Sequence, residues 1–193
     1  MTSYEVKGKF AIVTGAGSDI ELRPGAEATV AKYFKDSIDA NGAYAIFHET
    51  DVSDWNQINS FWATALEIFP LVDFVCNGAG VYEPPSSCFW NAPGISPLAQ
   101  DPFDAEIGQY KTFAVNTIGP IRLAQIAIDY WLQNRSIEGN LLWIASLGGY
   151  VHSMHTPMYF ASKAAIVAWS RVLVVSRRSW ESEMLQFVPE QFM

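Results

Sequence analysis

Cysteine, histidine and positive charge are all scarce in this chain, and each shortage closes off a class of function. The two cysteines among 193 residues, Cys76 inside a strand-like run and Cys88 in a loop, are too few for a disulfide framework and lack metal-ligand spacing. Both read as packing residues in a reducing, intracellular setting. Three histidines, His48, His152 and His155, are scattered and read as surface rather than as ligands, so no metal is expected. Twelve Lys and Arg against twenty Asp and Glu give a net charge of -8 and a pI near 4.8. With no basic patch, neither nucleic acid nor an anionic membrane is an expected partner. No run approaches the ~20 apolar residues of a membrane span. The segment Met1 to Phe10 carries Glu5, Lys7 and Lys9 without an apolar stretch, so no signal peptide is expected and the cytoplasm is the expected location.

Half of the chain is apolar, enough for one domain with a substantial core spanning residues 1–193. Lys9 to Thr14 contains Phe-Ala-Ile-Val, a continuous apolar run of the kind buried in parallel sheets, and ends in a glycine turn. Arg23 to Lys35 reads as a helix with Pro24 in its first turn and Ala26, Val30, Tyr33 and Phe34 on one face. Ala43 to Glu49 is strand-like and runs into Thr50-Asp51-Val52. Ser53 or Asp54 then caps a helix whose apolar stripe is Trp55, Ile58, Trp62, Leu66 and Phe69, stopped by Pro70. Val72 to Cys76 is a third strand, followed by Asn77-Gly78-Ala79-Gly80, whose glycines let the backbone pass close to a flat neighbour. Tyr82 to Pro102 is a long proline-bearing loop, which fits either a substrate-facing segment or a simple insertion. Phe103 to Gln133 is the longest helical pattern; inside it Pro120 has no N–H to give to the Asn116 carbonyl. Asn140 to Ala145 is a last strand, closed by Ser146 and Leu147-Gly148-Gly149.

Strands and helices alternating at this spacing predict an α/β fold, a Rossmann-like doubly wound parallel sheet. Right-handed crossovers would bring Thr14-Gly15, Asp51, Asn77 to Gly80 and Ser146, which all follow strands, to the one sheet edge where ligands bind.

Tyr159 and Lys163, four apart in the run Tyr-Phe-Ala-Ser-Lys, stand one helical turn from each other on one face. A phenol ionises near ~10, and a fixed cation beside it favours the phenolate. Thr156-Pro157 reads as an N-cap followed by proline at the first helical position, so this helix starts just before the tyrosine. Alone, the pair is also what an amphipathic helix with an exposed tyrosine and lysine would give. Its company changes the reading. With Ser146 thirteen positions before Tyr159, the Asn77-Gly78-Ala79-Gly80 turn, Asn116 within a long helix and Thr14-Gly15-Ala16-Gly17-Ser18 after the first strand, the sequence resembles the short-chain dehydrogenase/reductase family. Four of that family's five features are present in order; the fifth, the Thr-Gly-x-x-x-Gly-x-Gly loop, is altered.

The resemblance implies a nicotinamide cofactor exchanging a hydride with an alcohol or ketone of small size. It implies Tyr159 as general acid or base, Lys163 on the nicotinamide ribose and lowering the pKa of a phenol, Ser146 on the substrate oxygen, and Asn116 anchoring a relay water. Gly15, Gly17, Ser18, Asp19, Asp51, Val52, Asn77, Ala79 and Gly80 would join Tyr159 and Lys163 in cofactor binding; Gly78 stands where the family has a second asparagine. The helices carrying Asn116 and Tyr159 resemble those that pair subunits, so a homo-oligomer is expected.

Read in direct register, Asp19 and Glu21 occupy the second and third glycine positions of the family's loop. A carboxylate ~4 Å from a phosphate would cost on the order of 4 kcal/mol at an effective dielectric of 20. The preferred reading is instead that the first helix and second strand are absent, so that Ser18 is joined directly to the segment normally found after them. Asp19 then matches the acidic residue that grips the adenosine ribose in NAD-preferring members, which makes NAD the expected cofactor and NADP the alternative. Resemblance runs from about Lys9 to Leu173, leaving 174–193 as a divergent tail, and a mis-spliced or truncated product would account for both gaps. An incomplete sheet of about four strands is therefore expected, with 43–49 pairing directly with the first strand. An empty slot there would strand buried backbone donors and acceptors. Two functions are compatible with these features: an NAD(P)-dependent alcohol/ketone oxidoreductase, or an inactive Rossmann-like fragment that binds a nucleotide or a partner.

Overall fold

In a computed structural model, the described residues are 8–16, 45–83, 89 and 110–183, without the side chains of 174–183. Three parallel strands form one sheet in the order β1-β2-β3. They are β1 (Ala11–Thr14), β2 (Phe74–Asn77) and β3 (Asn140–Trp143). Register runs from Ala11 opposite Phe74 to Thr14 opposite Asn77, and from Phe74 opposite Asn140 to Asn77 opposite Trp143. All three strands therefore end level, and the turns that come after them share one edge.

Asp73 sets that register: its backbone N–H donates to the Phe10 carbonyl at 2.9 Å. Its carboxylate takes the Phe10 N–H at 2.9 Å and the Lys9 ammonium at 3.1 Å. Because side chains alternate along a strand, Ile12 and Thr14 are buried beneath the helices while Val13 on the other face is half exposed.

The covered face packs on α1 (Trp55–Ile68) and α3 (Gly119–Gln133). Ile12, Val75, Ile58, Trp62, Leu123 and Ala127 form one core there. The expected stripe on α1 is buried at Ile58 and Trp62, but Trp55 is 48% exposed and lies under the Arg122 guanidinium instead. It is the first residue of the helix. Phe69, ahead of Pro70, is extended and ends α1, as the steric clash with a following proline requires.

Of the two expected caps, Asp54 is the one that acts. Its side chain accepts from the Asn56 and Gln57 backbone N–H groups, which hold its carboxyl below the ordinary carboxylate range, helped by the Gln57 side chain. A lowered folded-state pKa means that this stabilisation is present above the ordinary value near ~3.9 and is lost as pH falls through the folded value. Asp54→Asn keeps an acceptor at the cap but cannot ionise. We expect its urea midpoint to fall less steeply than the wild-type's as pH is lowered below ~4; parallel curves would contradict the cap's contribution.

Residues 45–49, the described part of the strand expected over 43–49, are not in a strand and are exposed. This corrects the expected pairing with β1, and the sheet has three strands rather than about four among the described residues. The segment is held by α1 instead. His48 stacks on Phe61 at 5.3 Å, and the Asp51 N–H donates to the Gln57 side chain at 2.8 Å. Those contacts stand in place of ladder bonds. The helix expected over 23–35 and nearly all of the loop expected over 82–102 lie outside the described residues, as does Cys88.

The long helical pattern ending at Gln133 is described from α2 (Lys111–Phe113), through a π-helical turn at Ala114–Ile118, into α3. The irregularity falls where the sequence places it: Pro120 cannot give an α-helical hydrogen bond to Asn116, and the turn widens so that Gly119 N–H reaches Ala114. Such π-bulges are frequent at functional sites. After β3 come a single 3-10 turn, Leu147–Gly149, and α4 (Pro157–Glu183).

Candidate active site

At the C-terminal edge of the sheet, the turns after β1 and β2 lie against each other. Gly15 has φ of 80°, a left-handed conformation suited to glycine, and a Cβ there would stand 2.6 Å from the Ala79 nitrogen. A Cβ at Gly78 would stand 2.7 Å from the Thr14 carbonyl. The flat neighbour expected at Gly78 is therefore the other turn. Gly78, where the family has asparagine, fits because the backbones meet. Thr14 fastens this contact, its Oγ1 accepting from the Gly78 and Ala79 N–H groups at 3.2 Å each.

Asn116 is 2% exposed. Its Oδ1 accepts from the Val81 N–H at 2.7 Å, and its Nδ2 donates to the Val81 carbonyl at 2.9 Å and to Ser162 Oγ at 3.0 Å. It thus joins the loop after β2 to α4. Beside it, Gly80 faces both polar groups: a Cβ there would come within 3.4 Å of Lys163 Nζ and 3.5 Å of Asn116 Oδ1.

Tyr159 and Ser146 meet, with the phenol O–H donating to Ser146 Oγ at 3.2 Å. That oxygen also accepts from the Gly148 N–H at 3.0 Å. A hydroxyl has two acceptor positions and one donor, so with both acceptors engaged the Ser146 proton is left for another oxygen. The Tyr159 ring stacks on Tyr82 at 4.7 Å. Lys163 does not hydrogen-bond the phenol. Its Nζ lies 6.0 Å from the Tyr159 ring centroid and donates to the Ile144 carbonyl at 3.0 Å. Burial pushes its ammonium below the ordinary lysine range, because a carbonyl dipole compensates only part of lost hydration.

The remaining expected residues are divided between two places. Asp51 is exposed, its Oδ1 taking the Ser53 N–H at 2.9 Å and hydroxyl at 2.6 Å. Val52 and Asn77 line a cavity with Thr14, Thr50, Gly119 and Pro120. Asn77 is 4% exposed, and neither its Oδ1 nor its Nδ2 has a partner among the described residues. Gly17, Ser18 and Asp19 lie outside the described residues. Cys76 is buried in β2 and its thiol is pushed up by burial, away from reactivity. His152 and His155 are exposed, and no described helix is long and apolar enough to cross a membrane.

One functional side chain escaped sequence reasoning. The expected cap of α4, Thr156, has its hydroxyl on Tyr82 Oη at 2.9 Å. The cap is Glu83, whose Oε2 accepts from the Met158 and Tyr159 N–H groups at 2.8 and 3.1 Å. No local pattern reveals a cap donated from 75 residues away; the only hint is a lone acid in an apolar and proline-rich stretch.

The chain is similar to known proteins in family, sequence and fold. A family model described as short chain dehydrogenase matches residues 9–181. The chain is 26% identical over 182 residues to a fatty acyl-CoA reductase of Acinetobacter baylyi, covering 87% of this chain and 57% of that one. It is 27% identical over 191 residues to the trihydroxynaphthalene reductase PfmaI of Pestalotiopsis fici, covering 91% and 61%. A crystal structure of a short chain dehydrogenase/reductase from Burkholderia phymatum in complex with NAD aligns with a TM-score of 0.62 at 22% identity, over 89% of this chain and 52% of that one. The chain thus spans less than two thirds of the length of these proteins.

Proposed function

The chain belongs to the short-chain dehydrogenase family, and on that premise we propose that it is an NAD(P)-dependent oxidoreductase interconverting a small alcohol and its ketone or aldehyde. The observation that carries the reading is the pair of hydroxyls, Tyr159 Oη and Ser146 Oγ, 3.2 Å apart, with the Lys163 ammonium 6.0 Å from the phenol ring centroid. Two hydroxyls at that spacing can grip one carbonyl oxygen together.

The cofactor fits the residues at hand. Gly80 puts no side chain between the loop after β2 and the Lys163 ammonium and Asn116 amide, which keeps both polar groups within reach of a ligand. The unpartnered amide of Asn77 offers one donor side and one acceptor to a ligand carrying both. The Burkholderia relative was solved with NAD, and Asp19 favours NAD over NADP. Gly15, Asp51, Val52, Ala79 and Gly80 would complete the site with Gly17, Ser18 and Asp19.

When bound, the cofactor supplies or takes the hydride. The protein's own part is proton handling. Ser146 gives its free O–H to the substrate oxygen, which orients the carbonyl. Tyr159 then passes its proton to that oxygen as charge develops there, and takes it back in the reverse direction. Lys163, fixed by the Ile144 carbonyl, supplies the cation that offsets the charge left on the ring oxygen. Asn116 holds the loop after β2 against α4, and its backbone carbonyl, which Pro120 cannot satisfy with an α-helical bond, is the place for a relay water.

The test is a titration of the purified chain with NADH, followed by quenching of its seven tryptophans, together with NADH oxidation in the presence of a panel of small aldehydes and ketones. We expect saturable quenching weaker than micromolar, because on the preferred reading the sequence lacks the first helix of the family, whose N-terminus would receive the pyrophosphate. We also expect carbonyl-dependent oxidation above a protein-free control. The altered glycine loop favours a second reading, a nucleotide- or partner-binding module without turnover. Quenching without any oxidation would select it, and neither signal would overturn both.

A further inference from the structure

We propose that Glu83 is the positioning residue for Tyr159, locking the loop after β2 onto the first turn of α4; the proposal rests on the oxidoreductase reading above. Glu83 is 5% exposed, a depth at which a carboxylate needs compensation for its lost water. Three backbone N–H groups provide it. Met158 at 2.8 Å and Tyr159 at 3.1 Å reach one oxygen, and Phe89 at 3.0 Å reaches the other. No cation pairs with it among the described residues.

The first turn of α4 explains why it is there. Pro157 has no N–H, and the Phe160 N–H already reaches the Thr156 carbonyl at 3.3 Å. Met158 and Tyr159 are the remaining orphan donors of the helix start, and Glu83 satisfies both while placing negative charge at the positive end of the helix dipole. Its neighbours fasten the same seam. Val81 is held through both backbone groups by Asn116, and Tyr82 stacks on Tyr159 and reaches Thr156. Tyr82 and Glu83 thus tie the turn that carries Asn77 to Gly80 directly to the start of the helix that carries the phenol, and Val81 does so through Asn116 and Ser162. Tyr159 is the third residue of α4, so fraying of that turn moves its hydroxyl directly. A misplacement of ~1 Å can cost on the order of a hundredfold in rate.

Removing the carboxylate should therefore lower turnover without weakening substrate or cofactor binding to the same degree. In the full chain we expect Glu83→Ala to reduce kcat at least ~10-fold while KM for NADH and for the carbonyl changes less than ~3-fold. Glu83→Gln should recover part of the loss, since its carbonyl can still accept from Met158 and Tyr159 while its NH2 cannot accept from Phe89. A second measurement is independent of activity. With ring-labelled tyrosine, Tyr159 being identified by its disappearance in Tyr159→Phe, nuclear Overhauser contacts between the Tyr82 and Tyr159 rings should weaken in Glu83→Ala, and the Met158 and Tyr159 amides should lose protection from exchange. If Glu83→Ala does not fold, Glu83→Gln carries both measurements. Wild-type kcat in the variants, a loss confined to KM, or unchanged ring contacts and exchange would each overturn the proposal. A wild-type chain that reduces no carbonyl counts against the oxidoreductase reading, and the ring contacts and exchange then decide the role of Glu83 by themselves.

Discussion

Tyr159→Phe is expected to lower carbonyl reduction by roughly 10²- to 10⁴-fold, the range associated with losing a general acid, while leaving the NADH quenching curve within a few-fold of wild type. The two effects separate because the ring and the hydroxyl do different things. The ring keeps its contacts with Tyr82 at 4.7 Å and Phe160 at 5.8 Å, so the first turn of α4 stays packed. Among the described residues the hydroxyl makes one hydrogen bond, to Ser146 at 3.2 Å, whose loss costs about 1 kcal/mol of stability. What disappears is the proton that the substrate oxygen would receive. Steady-state rates and a thermal melt on the same preparation check both halves. A variant that keeps most of its turnover removes Tyr159 from the mechanism, and one that melts far below wild type shows that the hydroxyl is structural instead.

The second large effect concerns a glycine away from the chemistry. Gly119 opens α3 next to the π-helical turn, and a Cβ there would stand 2.1 Å from the Val52 carbonyl oxygen and 3.0 Å from its carbon. Both atoms are backbone, so no rotamer change can relieve the contact; either α3 or the Asp51-Val52 segment must move. Overpacking of this kind costs about 3 kcal/mol, equivalent to roughly 6–12 °C in Tm for a chain of this size. Gly119→Ala should therefore melt early, and because Val52 and Gly119 line the same cavity as Asn77, NADH affinity should fall with stability. A variant with wild-type Tm would mean that the Val52 segment yields freely and that its proximity to α3 does not hold the cofactor edge in place.

Local pattern was enough for a good share of this molecule. The alternation of apolar runs with periodic segments specified parallel strands at β1, β2 and β3 and helices at α1, α3 and α4, because burial on one or both faces imposes its period on the residues themselves. Pro120 beside Asn116 announced a break in the long helix, since a missing N–H is a property of one residue. The thirteen-residue spacing from Ser146 to Tyr159, with Lys163 one turn on, singles out these three residues only by resemblance to the family, and the fold brings the two hydroxyls to 3.2 Å.

The tertiary structure decided what depends on residues far apart in sequence. Ala43 to Glu49 has strand composition, yet 45–50 lies along α1, because strand propensity is realised only where a partner edge is within reach. Trp55 fits the stripe of α1 by spacing and is nonetheless half exposed under the Arg122 guanidinium of α3, a neighbour that periodicity within α1 cannot reveal. The neighbour of Gly78 proved to be the Thr14 carbonyl, a backbone approach that a glycine permits but cannot specify. Asp73 fixing Phe10 and Glu83 capping α4 span 63 and 75 residues. A buried carboxylate goes wherever the fold leaves orphan N–H groups, and those positions exist only once the strands and helices have packed.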